Sequence, residues 1–249
     1  MVRISVELVP RGQEALCAEL ERIRRNLPQV NTINVPDLLR FDLRSWQGCG
    51  FAKPFYPHVI PHIRAIDVPL DRPLAVADFL RQHTIDEVLV IAGDAPPDMS
   101  RVVYPSTSLD VLRKFKREMP DIKLYAGLDP YRQSFTRERD YALQKLDAGA
   151  AGFFTQPFFD LRLMEIYAEL LAPLSSASIF WGVTNVESEK SLSYWQTRNH
   201  AVFPAHFEPS LAWNRALAKA ALDFARATAS NIYYMPIRAN VLKYLKGIL

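Results

Sequence analysis

Residues 149–160, GAAGFFTQPFFD, decide how this chain is read. Asp147, Ala148 and Gly149 supply the small and left-handed-tolerant residues on which helices end. Phe153, Phe154 and Thr155 follow as a short aromatic and β-branched run between Gly152 and Pro157, which reads as a strand. From Asp160 the pattern turns helical again. At the strand's end stands Gln156, a neutral amide badly suited to core packing and well suited to hydrogen-bonding a ligand.

The same unit recurs along the chain. Strands are predicted at 3–9, 29–35, 58–66, 86–93, 123–128, within 149–160, at 177–184 and at 231–236. Helices are predicted at 12–27, 73–83, 108–119, 137–148, 160–172, 187–197, 208–229 and 238–248, while 36–57 reads as a loop rich in Gly, Pro and aromatic residues. DEVLVIAG, 86–93, is a near-continuous apolar run, as expected of a strand buried on both faces. Eight units over 249 residues average about 31 residues each, the size of one βα repeat. The alternation predicts an α/β fold, a single TIM (β/α)8 barrel spanning 1–249, with a doubly wound open sheet as the second choice.

Composition narrows the function classes. Hydrophobic residues make up 49% and charged residues 23%, the balance of an ordinary globular protein. A formal charge of +3 is too small to point to nucleic acid, and the basic runs at 22–25 and 113–117 fall inside helical patterns, as solvated faces or phosphate contacts. Cys17 and Cys49 form no CxxC pair, so no disulfide framework or zinc site follows, and a reducing cytoplasm is the expected compartment. The N-terminus does not read as a signal peptide, and no apolar run approaches the ~18 residues of a membrane span.

Barrels of this kind draw their ligand groups from the carboxyl ends of strands. Here those ends carry Glu7, Asn34 with Asp37, Asp67, Asp94, Asp129, Gln156, Asn185, and Arg238 with Asn240. A helix cap or a turn accounts for any one of them alone. Glu7 is harder to dismiss, because it precedes the last apolar residue of VELVP, where an unpaired carboxylate is costly to bury. Asp94 sits in IAGDAPP, where glycine allows close approach and prolines stiffen the loop. Two carboxylates and an amide at one mouth suit proton transfer to, and recognition of, a nitrogen-rich heterocycle. The chain has no GxGxxG after a strand, no GxxxxGK[ST] and no GxSxG, and His58 and His62 lie on a strand, where their spacing is not that of a helical zinc site.

VELVP, VIPHIRAID, VIAGDAPP and LDAGAAGFFTQPFFD, in this order and spacing, resemble the methylenetetrahydrofolate reductases over nearly the whole chain. The resemblance implies a TIM barrel that takes hydride from NADH or NADPH, usually through FAD, and reduces 5,10-methylenetetrahydrofolate to 5-methyltetrahydrofolate, a step serving methionine biosynthesis. It gives Glu7 the role of general acid, Asp94 contact with the pterin and flavin, and Gln156 a hydrogen bond to the pterin. Val186 takes the place of an aromatic that stacks on substrate in some members. His62, Asp129, Glu138 and Lys145 fall on the FAD side. Departures gather there too: Ala92 stands where an arginine is common, Leu128-Asp129-Pro130 replaces a YPE tripeptide, and Glu138 and Tyr141 replace an aspartate and an asparagine. Two other enzymatic or binding readings stay open, a flavin-independent folate reductase and a folate-binding barrel that handles methyl groups without redox chemistry. A homo-oligomer is also open, with Trp46, Phe51 and Tyr56 as exposed aromatics at an interface or a lid.

Overall fold

A computed structural model describes residues 2–96, 101–174, 176–237 and 239–249. Pro97, the last residue of IAGDAPP, and Arg238 lie outside the described residues. The first four units run β1 (Ile4–Glu7), α1 (Gln13–Asn26), β2 (Thr32–Val35), α2 (Ser45–Ala52), β3 (His58–Arg64), α3 (Ala77–Gln82), β4 (Glu87–Ile91) and α4 (Ser108–Glu118). The rest run β5 (Lys123–Leu128), α5 (Phe135–Asp147), β6 (Gly152–Pro157), α6 (Leu161–Leu171), β7 (Ser178–Thr184), α7 (Glu189–Arg198), α8 (Leu211–Ala227), β8 (Asn231–Met235) and α9 (Val241–Leu245). Each strand pairs in parallel with the next, and β8 pairs with β1, so the sheet closes as an eight-stranded TIM (β/α)8 barrel with no free edge.

The sequence explains most boundaries. Thr107 caps α4 in a reciprocal box with Asp110. Ser134, Asp160, Ser188, Ser210 and Asn240 cap α5, α6, α7, α8 and α9. Gly149 takes φ +107° just past α5, which turns the chain into β6. The segment 36–57 is not a loop throughout, since α2 lies inside it. Its glycines obscured the helix: a Cβ on Gly48 would come within 2.9 Å of Val35, so glycine lets α2 lie close against β2. Tyr56 is buried, with its hydroxyl donating to the Leu20 carbonyl at 3.1 Å, and Trp46 packs against the core. These two aromatics close the β2–α2 unit rather than forming a lid.

Alternate residues of each strand face opposite sides of the barrel wall. Val6, Val35, Val59, Val88, Val90, Leu124, Phe153 and Ile232 belong to the large core between wall and helices. Ile60, Leu89, Tyr125, Phe154, Phe180, Tyr233 and Met235 form a separate cluster that fills the lumen. Phe154 and Phe180 stack there at 4.0 Å, and Tyr125 and Tyr233 meet Phe154 edge-on. At the amino ends of the strands a polar plug closes the lumen. Arg3 donates to both oxygens of Glu87 at 2.6 and 2.7 Å, and the Tyr125 hydroxyl donates to the same carboxylate at 3.1 Å.

Candidate active site at the barrel mouth

Glu7 ends β1 in the inward phase set by Ser5, while Val6 and Leu8 face the helices. Its side chain is 16% exposed, and its carboxylate accepts a hydrogen bond from the Tyr233 hydroxyl on β8. Burial pushes the Glu7 carboxyl up to about 7, against the opposing hydrogen bond from Tyr233. The same burial, with the Glu7 charge and bond next in order, holds the Tyr233 phenol well above its ordinary value. Glu7 is therefore an acid that keeps its proton near neutrality, next to a phenol that does not lose its own.

His62 Nε2 on β3 lies 4.0 Å from Glu7. Its ring is buried and pushed down to about 4, with Asp37 opposing, so it is neutral beside Glu7. The Asn34 amide nitrogen donates to His62 Nε2 at 3.3 Å while its oxygen accepts from Ser5 Oγ at 2.5 Å. That chain leaves the His62 proton on Nδ1. Asn34 and Tyr233 are the residues that sequence reading did not place beside the acid. Asn34 was visible as a polar strand end, but nothing separates Tyr233 from an ordinary strand tyrosine.

Asp94 and Gln156 are both exposed, beyond β4 and near the end of β6. In a closed parallel barrel all strands end on one rim, so Glu7, Asp94 and Gln156 share that rim. Arg64, inward-facing at the end of β3, donates through Nη2 to the Asp94 backbone carbonyl. Its Nε lies 3.6 Å from Asp67. A Cβ on Gly93, which has φ +86°, would meet Arg64 Nε at 2.9 Å, so glycine is required for this turn over the guanidinium.

Val186 follows β7 by two residues and is closed off from solvent. Its side chain is fully buried with Phe159, Trp195 and Ala201, and Asn214 on α8 clamps its backbone on both sides at 2.9 and 2.8 Å. The apolar side chain is stabilised in this satellite core, and no part of it is exposed on the rim. Other strand-end residues serve the fold. Asp37 takes two hydrogen bonds from Arg44, and Asn240 caps α9.

Of the residues on the FAD side, His62 sits beside Glu7, while Asp129, Glu138 and Lys145 gather at the end of β5 and on α5. Glu138 is fully buried, and its two oxygens accept from Asp129 N at 3.0 Å, Arg132 at 2.8 and 2.7 Å, and Gln133 at 2.8 Å. Lys145 donates to the Gly127 carbonyl at 2.6 Å, lies 4.0 Å from the centre of the Tyr141 ring, and is pushed down to about 8 by burial. Asp129 accepts from Tyr131 N at 3.0 Å, and burial raises its carboxyl. Tyr141, with its hydroxyl against Ser108 at 3.2 Å, brings a ring to the place of an amide, and Arg132 lies 5.0 Å from that ring's centre. An open hollow of about 460 Å³ lies beside this cluster, lined by Arg132, Arg137, Tyr141 and Gln144. As arranged, the set does not fit FAD: both Glu138 oxygens are taken by groups of the chain, Lys145 is held on the Gly127 carbonyl, and Tyr141 offers a ring where an amide would be needed. Among the described residues, no group of three or more His, Cys, Asp or Glu side chains could hold a metal ion, and no helix is long and apolar enough to cross a membrane.

Comparison with known proteins follows this geometry. The family model described as methylenetetrahydrofolate reductase matches residues 54–225, well over half of the chain. No curated protein sequence matches. Among solved structures, an uncharacterized protein from Clostridium thermocellum, described as binding two copies of 5-methyl-5,6,7,8-tetrahydrofolic acid, superposes with a TM-score of 0.68 at 14% identity. That alignment covers 99% of this chain and 92% of the other. The carboxyl transferase domain of Rhizobium etli pyruvate carboxylase with 3-hydroxypyruvate gives a TM-score of 0.56 at 11% identity, over 94% of this chain and 40% of that one. At such identities both likenesses show the fold alone.

Proposed function

Because this chain belongs to the methylenetetrahydrofolate reductase family, we propose that it reduces 5,10-methylenetetrahydrofolate to 5-methyltetrahydrofolate with hydride from NADH or NADPH. The observation that carries this reading is the mostly buried Glu7, hydrogen-bonded by Tyr233 at the mouth of the lumen, whose carboxyl burial pushes up to about 7. A methylene bridged between two nitrogens is a poor hydride acceptor, and protonation of one nitrogen opens the ring to a cationic iminium that accepts hydride readily. A carboxylic acid that keeps its proton near neutral pH supplies that proton. Asp94 and Gln156, exposed on the same rim, offer acceptor and amide groups to the pterin edge.

His62, although near the acid, contributes as a neutral neighbour that adds no charge against the iminium. The experiment is to follow NADH or NADPH oxidation with and without 5,10-methylenetetrahydrofolate, and to identify the product by mass. Folate-dependent oxidation yielding the methyl product supports the reading, and its absence overturns it. A second reading, a barrel that binds methylated folate without redox chemistry, draws on the neighbour that binds 5-methyl-5,6,7,8-tetrahydrofolic acid. Under it, that folate binds and no nicotinamide is oxidised.

A further inference from the structure

The geometry points to direct hydride transfer in this chain, from the reduced nicotinamide to the folate one-carbon unit, with the β5–α5 region closed on itself by Glu138, Arg132, Tyr141 and Lys145 instead of cradling a flavin. This rests on the reductase reading and deepens it. Three observations carry it. The Glu138 carboxylate, fully buried, accepts from Arg132, Gln133 and the Asp129 backbone, so no acceptor is left for a hydroxylated chain. Tyr141 replaces an amide by a ring that Lys145 and Arg132 approach, and a phenol does not reproduce the paired donor and acceptor of an amide.

The third observation is at the neighbouring strand end. Ala92 puts no cation before Gly93 and Asp94, and Arg64 from β3, the cation that lies there, spends its Nη2 on the Asp94 carbonyl and packs under Gly93. The arginine thus fixes the Asp94 loop rather than reaching out to a phosphate. Arg64 on one side of the β4–β5 rim, and Glu138 with Arg132 on the other, hold the chain itself.

The step balances without a further redox carrier. Glu7 gives its proton to the bridging nitrogen, whose bond to the methylene carbon breaks with the electron pair going to nitrogen. The C4–H bond of the nicotinamide then breaks, and its hydride forms the third C–H bond of the methyl group. The nicotinamide is oxidised, the one-carbon unit is reduced, and Glu7 regains a proton from solvent.

The test uses the full-length protein and two readouts. In the first, FAD is titrated into the purified protein and followed by its fluorescence, and folate reduction is measured with and without added FAD. Direct transfer expects no saturable FAD binding and a rate changed by less than about twofold. In the second, nicotinamide deuterated at the transferred position is used in ordinary water. Deuterium retained in the methyl product, with ternary-complex kinetics, is the expected result, whereas a ping-pong pattern with label lost to solvent overturns the inference. Reduction that requires FAD also overturns it while leaving the proposed function standing. No reduction under either condition overturns both, so the two failures are distinct.

Discussion

Glu7 and Tyr233 hold the chemistry of this site in one hydrogen bond. Replacing Glu7 by Gln removes the proton donor, and folate reduction should fall by about 10²–10⁴-fold, the usual contribution of a positioned acid. Under the proposed reduction, the parent's rate should likewise fall as pH rises through about 7, where Glu7 loses its proton. The same group acts on stability with a definite sign. Its folded value of about 7 lies above the ordinary 4.5, so its stabilising contribution is present in full below 4.5 and is lost as pH rises through 7. The difference is worth roughly 3 kcal/mol. Glu7→Gln should therefore melt higher than the parent near about pH 8 and lose that margin near about pH 5. Thermal unfolding at the two pH values checks this, and an equal margin at both would mean that Glu7 does not titrate between them. Tyr233→Phe removes a donor to the charged form, so the alkaline limb of the rate profile should move to higher pH. A limb that stays in place would make the bond merely structural. Glu7 was legible because a carboxylate in an apolar strand needs a reason. Tyr233 was not, since a tyrosine in NIYYM serves equally well as core.

At the scale of elements, the join between β6 and β7 controls where Gln156 stands. The register shifts between Phe154 and Pro157, and Thr155 Oγ1 accepts from Gly182 N at 2.7 Å to satisfy the backbone across the irregularity. A Cβ on Gly182 would overlap the Thr155 carbonyl, and would lie 2.7 Å from Met235 Cε and 3.0 Å from the Gln156 carbonyl. Gly182→Ala should cost more than about 3 kcal/mol, read as a lower urea midpoint, and should weaken folate affinity by displacing Gln156. Lost stability with unchanged folate affinity would separate Gln156 from the site. On the other side of β7, Asn214→Ala would strip the Val186 N–H and carbonyl of their buried partners, about 1–3 kcal/mol for each group left unpaired. Chemical denaturation measures that loss directly. The strands and the capped helices were readable because apolar periodicity and capping residues are local signals. Helix α2 was not, because Gly48, which lets it approach β2, and Gly50, which lies against Phe79 and His83, also imitate a loop. The burial of Val186 was not legible for a related reason: a valine after a strand carries no mark of whether it packs in a satellite core beneath a helix.

Across the whole molecule, the lumen divides the work between its two ends. The lumen cluster, with Ile60, Leu89, Phe154, Phe180 and Met235 among its members, separates Glu7, His62 and Asn34 at the carboxyl rim from Arg3 and Glu87 at the amino end. The rim was legible as a set of polar strand ends, while the plug was not, because Arg3 and Glu87 lie 84 positions apart and meet only when the barrel closes. Burial pushes the Glu87 carboxyl up, but the Arg3 hydrogen bond and charge, with His58 and Tyr125, outweigh it and hold the group below its ordinary 4.5. Its stabilising contribution is thus present above 4.5 and lost as pH falls through the lower folded value. Glu87→Ala leaves the Arg3 guanidinium without its partner in a mostly buried site, and such a break costs about 3–5 kcal/mol. Because the damage lies at the stability end of the barrel, the folded fraction of Glu87→Ala should keep the parent kcat and KM. Replacing both partners together, Arg3→Met with Glu87→Leu, should recover much of the loss, since an apolar pair leaves no unpaired charge. Urea midpoints of the parent, the single variant and the double variant, measured beside their folate kinetics, decide it. A kcat that falls with Glu87→Ala while the protein stays folded would mean that the two ends of the lumen are coupled through Tyr125 and Phe154, against the division of labour drawn here.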